Sequence, residues 1–517
     1  MDLAIKIVLL AVFFGVMTGI GLYCRRHATD VSGFVLGGRS VGPWLTAFAY
    51  GTSYFSAVVF VGYAGQFGWK YGVAATWAGL GNAFLGSLLA WAVLGRRTRV
   101  MTQHLDSATM PEFFGRRFDS RALKLCASVI IFIFLIPYTA SLYNGLSRLF
   151  GMAFAIDYSV CVVVMAILTG VYVIAGGYMA TAINDFIQGI IMLAGIVAVI
   201  GAVLHTQGGF LAALEKLARV QGDSGVPGVY ASFFGPDPVN LLGVVLLTSL
   251  GTWGLPQMVQ KFYAIKSEAA ISKGTVISTV FALVVAGGCY FLGGFGRLYA
   301  DQIDIQANGY DSIIPAMLSG LPAILIAVVV ILVLSASMST LSSLVLASSS
   351  TLTLDFIKGN IIKDMDEKRQ VRWMRGLVVV FIAISVVLAL IQYKSSVTFI
   401  AQLMGVSWGA LAGAFLAPFL YGLYWKRTTK AACWVSFVFS AVFMLAVISP
   451  LKTALPPLLQ SPINAGAFCM IAGLVIVPAV SLFTRAPGEK RLEEIFSCYE
   501  RRVTVTVKDS IGEQNSH

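Results

Sequence analysis

Residues 335–350 read SASMSTLSSLVLASSS and place eight serines and one threonine in sixteen positions. They directly follow LPAILIAVVVILVL at 321–334, an apolar run that is too long for a core helix of a soluble protein. The two stretches together predict a membrane helix that carries many hydroxyl groups. Such hydroxyls either pack against neighbouring helices or bind a polar ligand, and the rest of the chain is needed to decide between these roles.

The composition is that of a membrane protein. Of the 517 residues, 58% are hydrophobic and 12% are charged, which is about half the charged fraction of a soluble chain. Apolar runs of about 20 residues recur, and each is long enough to cross a bilayer. The seven cysteines are scattered without CxxC spacing, so we interpret them as packing residues. The sequence therefore predicts an all-α, multi-pass protein of the cell (plasma) membrane, in contact with lipid.

We predict about thirteen transmembrane helices in a single domain over residues 1–484, followed by a polar cytoplasmic tail at 485–517 that is expected to be partly disordered. The predicted spans are 3–23, 44–67, 71–95, 122–149, 157–175, 178–204, 239–260, 270–296, 313–354, 373–392, 396–424, 431–450 and 464–484. The stretch 313–354 is long enough for one long helix plus an interfacial segment.

The basic residues predict the orientation, because cytoplasmic loops are rich in Lys and Arg. With the N-terminus outside, the inner segments hold 28 of the 36 basic residues and the outer segments hold 8. The outer loop at 299–312 carries three aspartates and no Lys or Arg. We therefore expect the N-terminus outside and the C-terminus inside. The net charge of +12 is spread over separate inner loops, which indicates attraction to anionic lipid and not to nucleic acid.

Two predicted spans contain residues that interrupt a helix. The second span reads YGTSYFS at 50–56, and the seventh reads GTWGLP at 251–256. Glycine weakens a helix and proline breaks its hydrogen bonding, and unwound backbone at membrane depth is tolerated only in packed protein or beside a polar cavity. Each break lies in the first span of a five-span block. The two blocks, 44–204 and 239–424, have opposite orientations and are flanked by helices at 3–23 and 431–484. Gly and Pro are common in membrane helices, but matching breaks in inverted repeats favour a transport site.

The hydroxyl-rich stretch has two interpretations. Ser335, Ser339 and Ser343 form a row of small residues that lets helices pack closely, and we assign most of the serines to packing. Ser339 and Thr340 are adjacent hydroxyls at mid-membrane, and with carbonyls freed at the first break they are suited to an all-oxygen cage for a monovalent cation. Asp185 is a carboxylate inside an apolar run, which favours a functional role over a solvated position at the inner helix end.

Seven motifs in order resemble the sodium:solute symporter family over roughly residues 30–430. They are VLGGRSVGPWLTA (35–47), MPEFFGRRF (110–118), IPYTAS (136–141), IAGGYMATAINDFIQ (174–188), GLPQMVQKF (254–262), SASMSTLSSLVLASSS (335–350) and YGLYWKRTT (421–429). The resemblance implies a LeuT-like fold of two inverted five-helix repeats and sodium-coupled transport. Among well-known members, the chain looks most similar to the proline and pantothenate symporter branch.

The resemblance also implies site residues. The family's sodium ligands fall on the backbone carbonyls of Thr52, Phe55 and Ala336 and on the hydroxyls of Ser339 and Thr340. Asp185 matches a family aspartate implicated in the sodium route, and Tyr138 matches a substrate residue. The chain departs from the proline transporters in having Tyr54 in place of an aspartate and Thr248 and Thr252 in place of aromatic residues. These departures argue against proline as the substrate.

The sequence predicts a symporter that carries sodium and a small organic solute into the cell by alternating access. We expect the solute near the midplane, beside Ser53, Tyr54, Ser56, Tyr138, Thr252, Trp253, Gln257 and Gln402. Half-helix N-termini there favour an anionic group, so a carboxylate-bearing solute such as an amino acid is expected. The alternatives are a solute sensor, although the chain ends 33 residues after the last predicted span, and a cation channel, although no repeated filter motif is visible. No enzyme is expected, and nothing in the sequence indicates an oligomeric state.

Overall fold

The fold is seen in a computed structural model that describes residues 2–154, 157–222, 225–358, 360–362, 364–394 and 400–500. Within these ranges the regular secondary structure is helical, apart from three isolated β-bridges. The expected all-α class is therefore confirmed. The start of the predicted span 396–424 and residues 501–517 of the predicted tail lie outside the described residues.

The described residues form a succession of α-helices joined by short turns. The α-helices are α1 (Asp2–Cys24), α2 (Val31–Leu36), α3 (Pro43–Thr52), α4 (Ala64–Tyr71), α5 (Thr76–Gly81), α6 (Arg96–His104), α7 (Met110–Arg117), α8 (Arg121–Phe154), α9 (Tyr158–Thr206), α10 (Phe210–Arg219), α11 (Pro238–Gly254), α12 (Pro256–Ala264), α13 (Glu268–Gly293), α14 (Ile305–Asn308), α15 (Ile313–Ser319), α16 (Ala323–Thr351), α17 (Glu367–Lys394), α18 (Ile400–Tyr424), α19 (Lys430–Ile448), α20 (Pro462–Phe483) and α21 (Glu489–Phe496). Wider π-helical turns occur at Val58–Tyr63, Asn82–Leu89, Trp91–Gly95 and Leu352–Ile357.

Ten helices in the described residues are long and apolar enough to cross a membrane, and the bent pair α11 and α12 adds an eleventh. The count falls below the predicted thirteen because two pairs of predicted spans are joined in continuous helical runs, Val58–His104 and Tyr158–Thr206. The second run contains Gly177 with φ +55° and ψ −147°, where the helix is interrupted. A Cβ atom at Gly177 would lie 2.9 Å from the Phe34 backbone, so the positive φ at this interruption requires glycine.

Both predicted breaks are present. Helix α3 ends at Thr52, and the four residues 53–56 are non-helical. Helical structure resumes at Ala57. Helix α11 ends at Gly254 and α12 begins at Pro256, with a bend of 45° between them. A Cβ atom at Gly254 would lie 2.8 Å from the backbone of α18, so glycine at this position lets the two helices touch. The two interrupted helices therefore place freed backbone groups in the protein interior.

Helix α16, which carries the hydroxyl-rich stretch, lies at the centre of the fold. It packs against α8, α9 and α17 and also contacts α3 and α12, the two elements that border the breaks. Every residue from Val333 to Ser350 is buried. Because its hydroxyls face protein on all sides, each of them must find a partner inside the molecule or remain unpaired at a cost.

The first part of the predicted tail is ordered. Helix α21 and the turn that follows bury Leu492, Ile495, Phe496 and Cys498 against the body of the protein. The guanidinium of Arg117 lies 5.0 Å from the ring centroid of Phe496, and burial lowers the pKa of Arg117 to about 10. The expected partial disorder of the tail stays a prediction, and the described residues 489–499 place their apolar side chains on one buried helix face.

Candidate functional site

The hydroxyl of Thr340 lies against the carbonyls freed at the first break. Its Oγ1 is 2.9 Å from the backbone oxygen of Thr52, 3.1 Å from that of Phe55 and 3.0 Å from that of Ala336. The first two carbonyls come from the end of α3 and the unwound segment, and the third comes from the preceding turn of α16. One side chain therefore joins the broken helix to the central helix.

The hydroxyl of Ser339 reaches the same group of oxygens. Its Oγ is 3.2 Å from the oxygen of Thr52 and 3.0 Å from that of Ala336. All five residues are buried. The two hydroxyls can turn their hydrogens away, so that two hydroxyl and three carbonyl oxygens of this cluster offer lone pairs to a cation. Several aligned dipoles of this kind replace the hydration shell of a monovalent cation without a carboxylate.

The other serines of the stretch divide into three groups, and the hydroxyls of Ser335 and Ser348 have no hydrogen-bond partner among the described residues. Ser337 accepts a hydrogen bond from the Ala57 N–H at 3.3 Å, and Ser343 lies 2.9 Å from the hydroxyl of Ser53, so both contact the first break. Ser342, Ser349 and Ser350 donate to carbonyls of their own helix. The packing interpretation agrees with these three serines and is wrong for Ser343, because its hydroxyl joins two helices.

Asp185 on α9 is fully buried and faces a cation. The Nζ atom of Lys261 lies 3.8 Å from Asp185 Oδ2, and the lysine also donates to Ser343 Oγ at 3.1 Å. The ammonium is 5.1 Å from the ring centroid of Tyr178. Neither carboxylate oxygen of Asp185 has a hydrogen-bond partner in the described part of the chain. The interpretation of Asp185 as a solvated helix end is therefore wrong.

Lys261 was not among the residues singled out from the sequence. It lies on α12, in the second interrupted helix, and its side chain is only 4% exposed. The predicted span ended at residue 260, so Lys261 was counted as part of an inner loop. The signal that could have found it is the rule that selected Asp185, since a charged side chain within a membrane helix is costly and tends to be functional. A predicted span that was one residue longer would have included Lys261.

Some candidate substrate residues carry buried polar groups that lack partners. The hydroxyl of Tyr54 and both amide atoms of Gln257 make no hydrogen bond in the described part of the chain. Gln257 is the second residue of α12, where backbone N–H groups and the helix dipole favour an anion. The ring of Tyr138 is buried and meets that of Trp408 edge to face, with centroids 5.9 Å apart. Unpaired groups of this kind are suited to bind a polar solute.

The remaining candidates have other partners. Thr252 donates to the oxygen of Gly86 at 2.8 Å, and the indole of Trp253 donates to that of Leu85 at 2.9 Å. Ser56 accepts a hydrogen bond from the N–H of Val58 at 3.2 Å, at the start of the helix that follows the break. Gln402 is half-buried on α18 and lines a cavity that none of the other seven candidates reaches. The structure thus gives three of these side chains structural hydrogen bonds and places the fourth apart.

These features describe a multi-pass membrane protein whose first broken helix borders a cluster of buried oxygen atoms. Residues 34–438 match the model of the sodium:solute symporter family, and the chain belongs to this family. It is therefore a membrane protein and a sodium-coupled symporter of a small solute, and not an enzyme.

Similar proteins include sodium/proline symporters of Staphylococcus aureus. The protein of strain JH9 is 30% identical over 496 residues, which cover 93% of each chain. A solved sodium-coupled sialic acid symporter in a substrate-bound, outward-open state shares the fold, with a TM-score of 0.72, 16% identity and coverage of 93% of this chain and 98% of that one. A nucleobase-cation-symport-1 family transporter in a closed conformation has a TM-score of 0.51 and 13% identity, with 89% and 97% covered.

Proposed function

We propose that the five oxygens of Thr52, Phe55, Ala336, Ser339 and Thr340 bind the sodium ion that drives transport. The observation that carries this proposal is the contact of Thr340 Oγ1 with three carbonyl oxygens at 2.9–3.1 Å. The ligands come from the broken first repeat and from α16. A bound sodium ion would therefore hold these two elements together, and its departure would release them for the inward-facing state.

Sodium and solute binding are coupled through the unwound segment. Thr52 and Phe55 contribute proposed sodium ligands, while Ser53 and Tyr54 between them belong to the proposed solute site. An ion that fixes residues 52–55 also fixes the solute-binding groups, so each ligand raises the affinity for the other by the same factor. Solute binding should accordingly depend on sodium and not on ionic strength alone.

We propose that Asp185 attracts sodium on its route between the site and the cytoplasm. Its carboxylate oxygens have no hydrogen bonds, and the nearest cation, Lys261, lies at 3.8 Å, which is longer than a hydrogen-bonded ion pair. Ser343 links Lys261 to Ser53 beside the proposed site. The lysine would neutralise the buried carboxylate when no sodium is near, and the loose contact would let a passing sodium ion approach Asp185.

The solute is proposed to be a small molecule with a carboxylate group. The support is the N-terminus of α12 with the unpaired amide of Gln257, since anions bind at helix N-termini. A bound solute should raise the melting temperature of the purified protein in sodium but not in equimolar choline, because the sodium-bound state has the higher affinity for it. A panel of amino acids, monocarboxylates and pantothenate tests this expectation. Equal stabilisation in choline would contradict sodium coupling at this site.

We also propose thirteen membrane crossings, arranged as inverted repeats at 44–204 and 239–424 with the N-terminus outside. The helical run Tyr158–Thr206 has 49 residues, which corresponds to about 74 Å at 1.5 Å per residue, more than twice the thickness of a bilayer core. It therefore has room for two spans that meet at Gly177. The run Val58–His104 has 47 residues and also exceeds the length of one span.

Cysteine labelling tests this orientation. Asp301→Cys should react with a membrane-impermeant thiol reagent added to intact cells, whereas Lys368→Cys should react only after the membrane is opened. Both side chains are exposed, so access to the reagent depends on the side of the membrane. Labelling of Lys368→Cys in intact cells would reverse the orientation.

A further inference from the structure

A cavity opens on the face that the topology assigns to the outside. Its volume is about 700 Å³, which lies in the range of small-molecule sites. It is bordered by α4, the start of α11, α18 and the start of α20. Gln402, the solute candidate that lies apart from the other seven, is in its wall.

The cavity concentrates positive charge. Lys70, Arg297 and Lys452 line it, and Asp237 is the only acidic residue among the described lining residues. The predicted topology places 8 basic residues on the outer side, and three of these 8 line this one cavity. A concave site with charges of one sign raises the local concentration of oppositely charged solutes.

Aromatic rings and backbone hold two of these cations, Arg297 and Lys70, in place. Arg297 donates to the oxygen of Trp69 at 2.8 Å, and its guanidinium lies 4.4 Å from the Trp69 ring and 4.5 Å from that of Tyr230. Lys70 Nζ lies 5.2 Å from the ring centroid of Tyr310 and makes no ion pair with a described residue. The ring contact of Lys70 fixes its ammonium and leaves its charge available to a ligand.

The acidic and amide groups of the cavity have different roles. Asp237 accepts from the backbone N–H of Asn240 at 3.1 Å and from its side-chain amide at 2.6 Å, and it thereby caps α11. Gln66 is only 4% exposed, and its Oε1 has no hydrogen-bond partner in the described part of the chain. This oxygen is an acceptor for a ligand donor.

We propose that this outer cavity is a capture site for a small solute that carries a carboxylate together with an amino or hydroxyl group. Lys70 and Lys452 bind the carboxylate, Arg297 adds to the positive field, and Gln66 Oε1 accepts from the donor. The solute then passes Gln402 toward the breaks. The inference rests on the proposed symport for its orientation and for the fate of the bound molecule.

Thiol chemistry measures the charge of the cavity without knowledge of the substrate. Ser461 lines the cavity, and Ser461→Cys can be modified in the full chain with anionic sulfonatoethyl and cationic trimethylammonioethyl methanethiosulfonate. The ratio of the anionic to the cationic rate, normalised to a free thiol, should be about tenfold higher than at Val226→Cys, an exposed outer position away from the cavity lining. Adding Lys70→Met and Lys452→Met should bring the Ser461→Cys ratio close to the Val226→Cys value.

Matched solutes test the ligand class. In saturating sodium, a carboxylate that stabilises the protein against heat should do so more than its analogue without the carboxylate, such as panthenol in place of pantothenate. Lys70→Met should reduce that difference, whereas Lys216→Met on the exposed outer helix α10 should not. Equal rate ratios at Ser461→Cys and Val226→Cys would overturn the capture site. Equal solute stabilisation in sodium and in choline would overturn the proposed sodium coupling and leave the charge measurement standing.

Discussion

Replacing Thr340 by valine is expected to lower the affinity for sodium at least tenfold while the fold remains intact. Valine keeps the branched shape of threonine but removes an oxygen that lies within 3.1 Å of three carbonyls. A hydrogen bond to a charged group contributes about 1.5–3 kcal/mol, and tenfold in affinity corresponds to about 1.4 kcal/mol. The measurement is a sodium titration of thermal stability, followed by sodium-dependent solute affinity at matched expression.

Ser349→Ala is the matched control on the same helix. The Ser349 hydroxyl bonds only to the Leu346 carbonyl of its own helix, at 3.2 Å, so its loss should cost about 0.6 kcal/mol or less. Ser339→Ala should behave like Thr340→Val, since its hydroxyl contacts two of the same carbonyls. Solute affinity should fall in sodium and not in choline, because the coupling is reciprocal. Small and equal effects at all three positions would leave the serines as packing residues.

Replacing Asp185 by asparagine is expected to destabilise the protein by about 3 kcal/mol or more, in addition to weakening sodium binding several-fold. The substitution keeps the size of the side chain but leaves the buried ammonium of Lys261 without a counter-charge, and breaking one partner of a buried pair typically costs about 3–5 kcal/mol. The loss of stability comes from the buried ion pair, and thermal melting with and without sodium measures it.

The double variant Asp185→Asn/Lys261→Met separates the two effects. Because no charge remains unpaired, most of the lost stability should return, since replacing a whole buried pair by neutral groups is often nearly neutral. Sodium affinity should stay low, because the carboxylate that attracts the ion is still absent. A double variant as unstable as the single one would show that the instability of Asp185→Asn does not come from the unpaired ammonium of Lys261.

Much of the candidate site was predictable because its signals are local. Glycine and proline in two apolar runs predicted both breaks, and adjacent hydroxyls at Ser339 and Thr340 predicted a cation cage. The three carbonyl ligands were not derivable from the residues, since every residue has a carbonyl and only the path of the backbone selects which ones converge. They follow from the family resemblance, and the three carbonyl oxygens lie 2.9–3.1 Å from Thr340 Oγ1.

The substrate residues were predicted less well. Proximity to a break selected Thr252 and Trp253, but their donors are directed to carbonyls of the neighbouring π-helical segment. Whether a side chain on an interrupted helix faces the solute or an adjacent helix depends on the rotation of that helix, which a linear pattern does not fix. Tyr54 and Gln257 keep unpaired buried groups because they lie at the breaks themselves.

The sequence by itself determined the class of protein, the membrane helices, the two breaks and the pair of hydroxyls beside the first. These follow from the length and chemistry of short segments, which a bilayer constrains strongly because backbone groups inside it must be paired. Only the tertiary structure decided that Lys261 faces Asp185, that Ser343 joins Lys261 to Ser53, and that three outer cations surround one cavity. Lys261 and Ser343 are 82 positions apart, and their contact depends on how α12 and α16 pack, which no local pattern specifies.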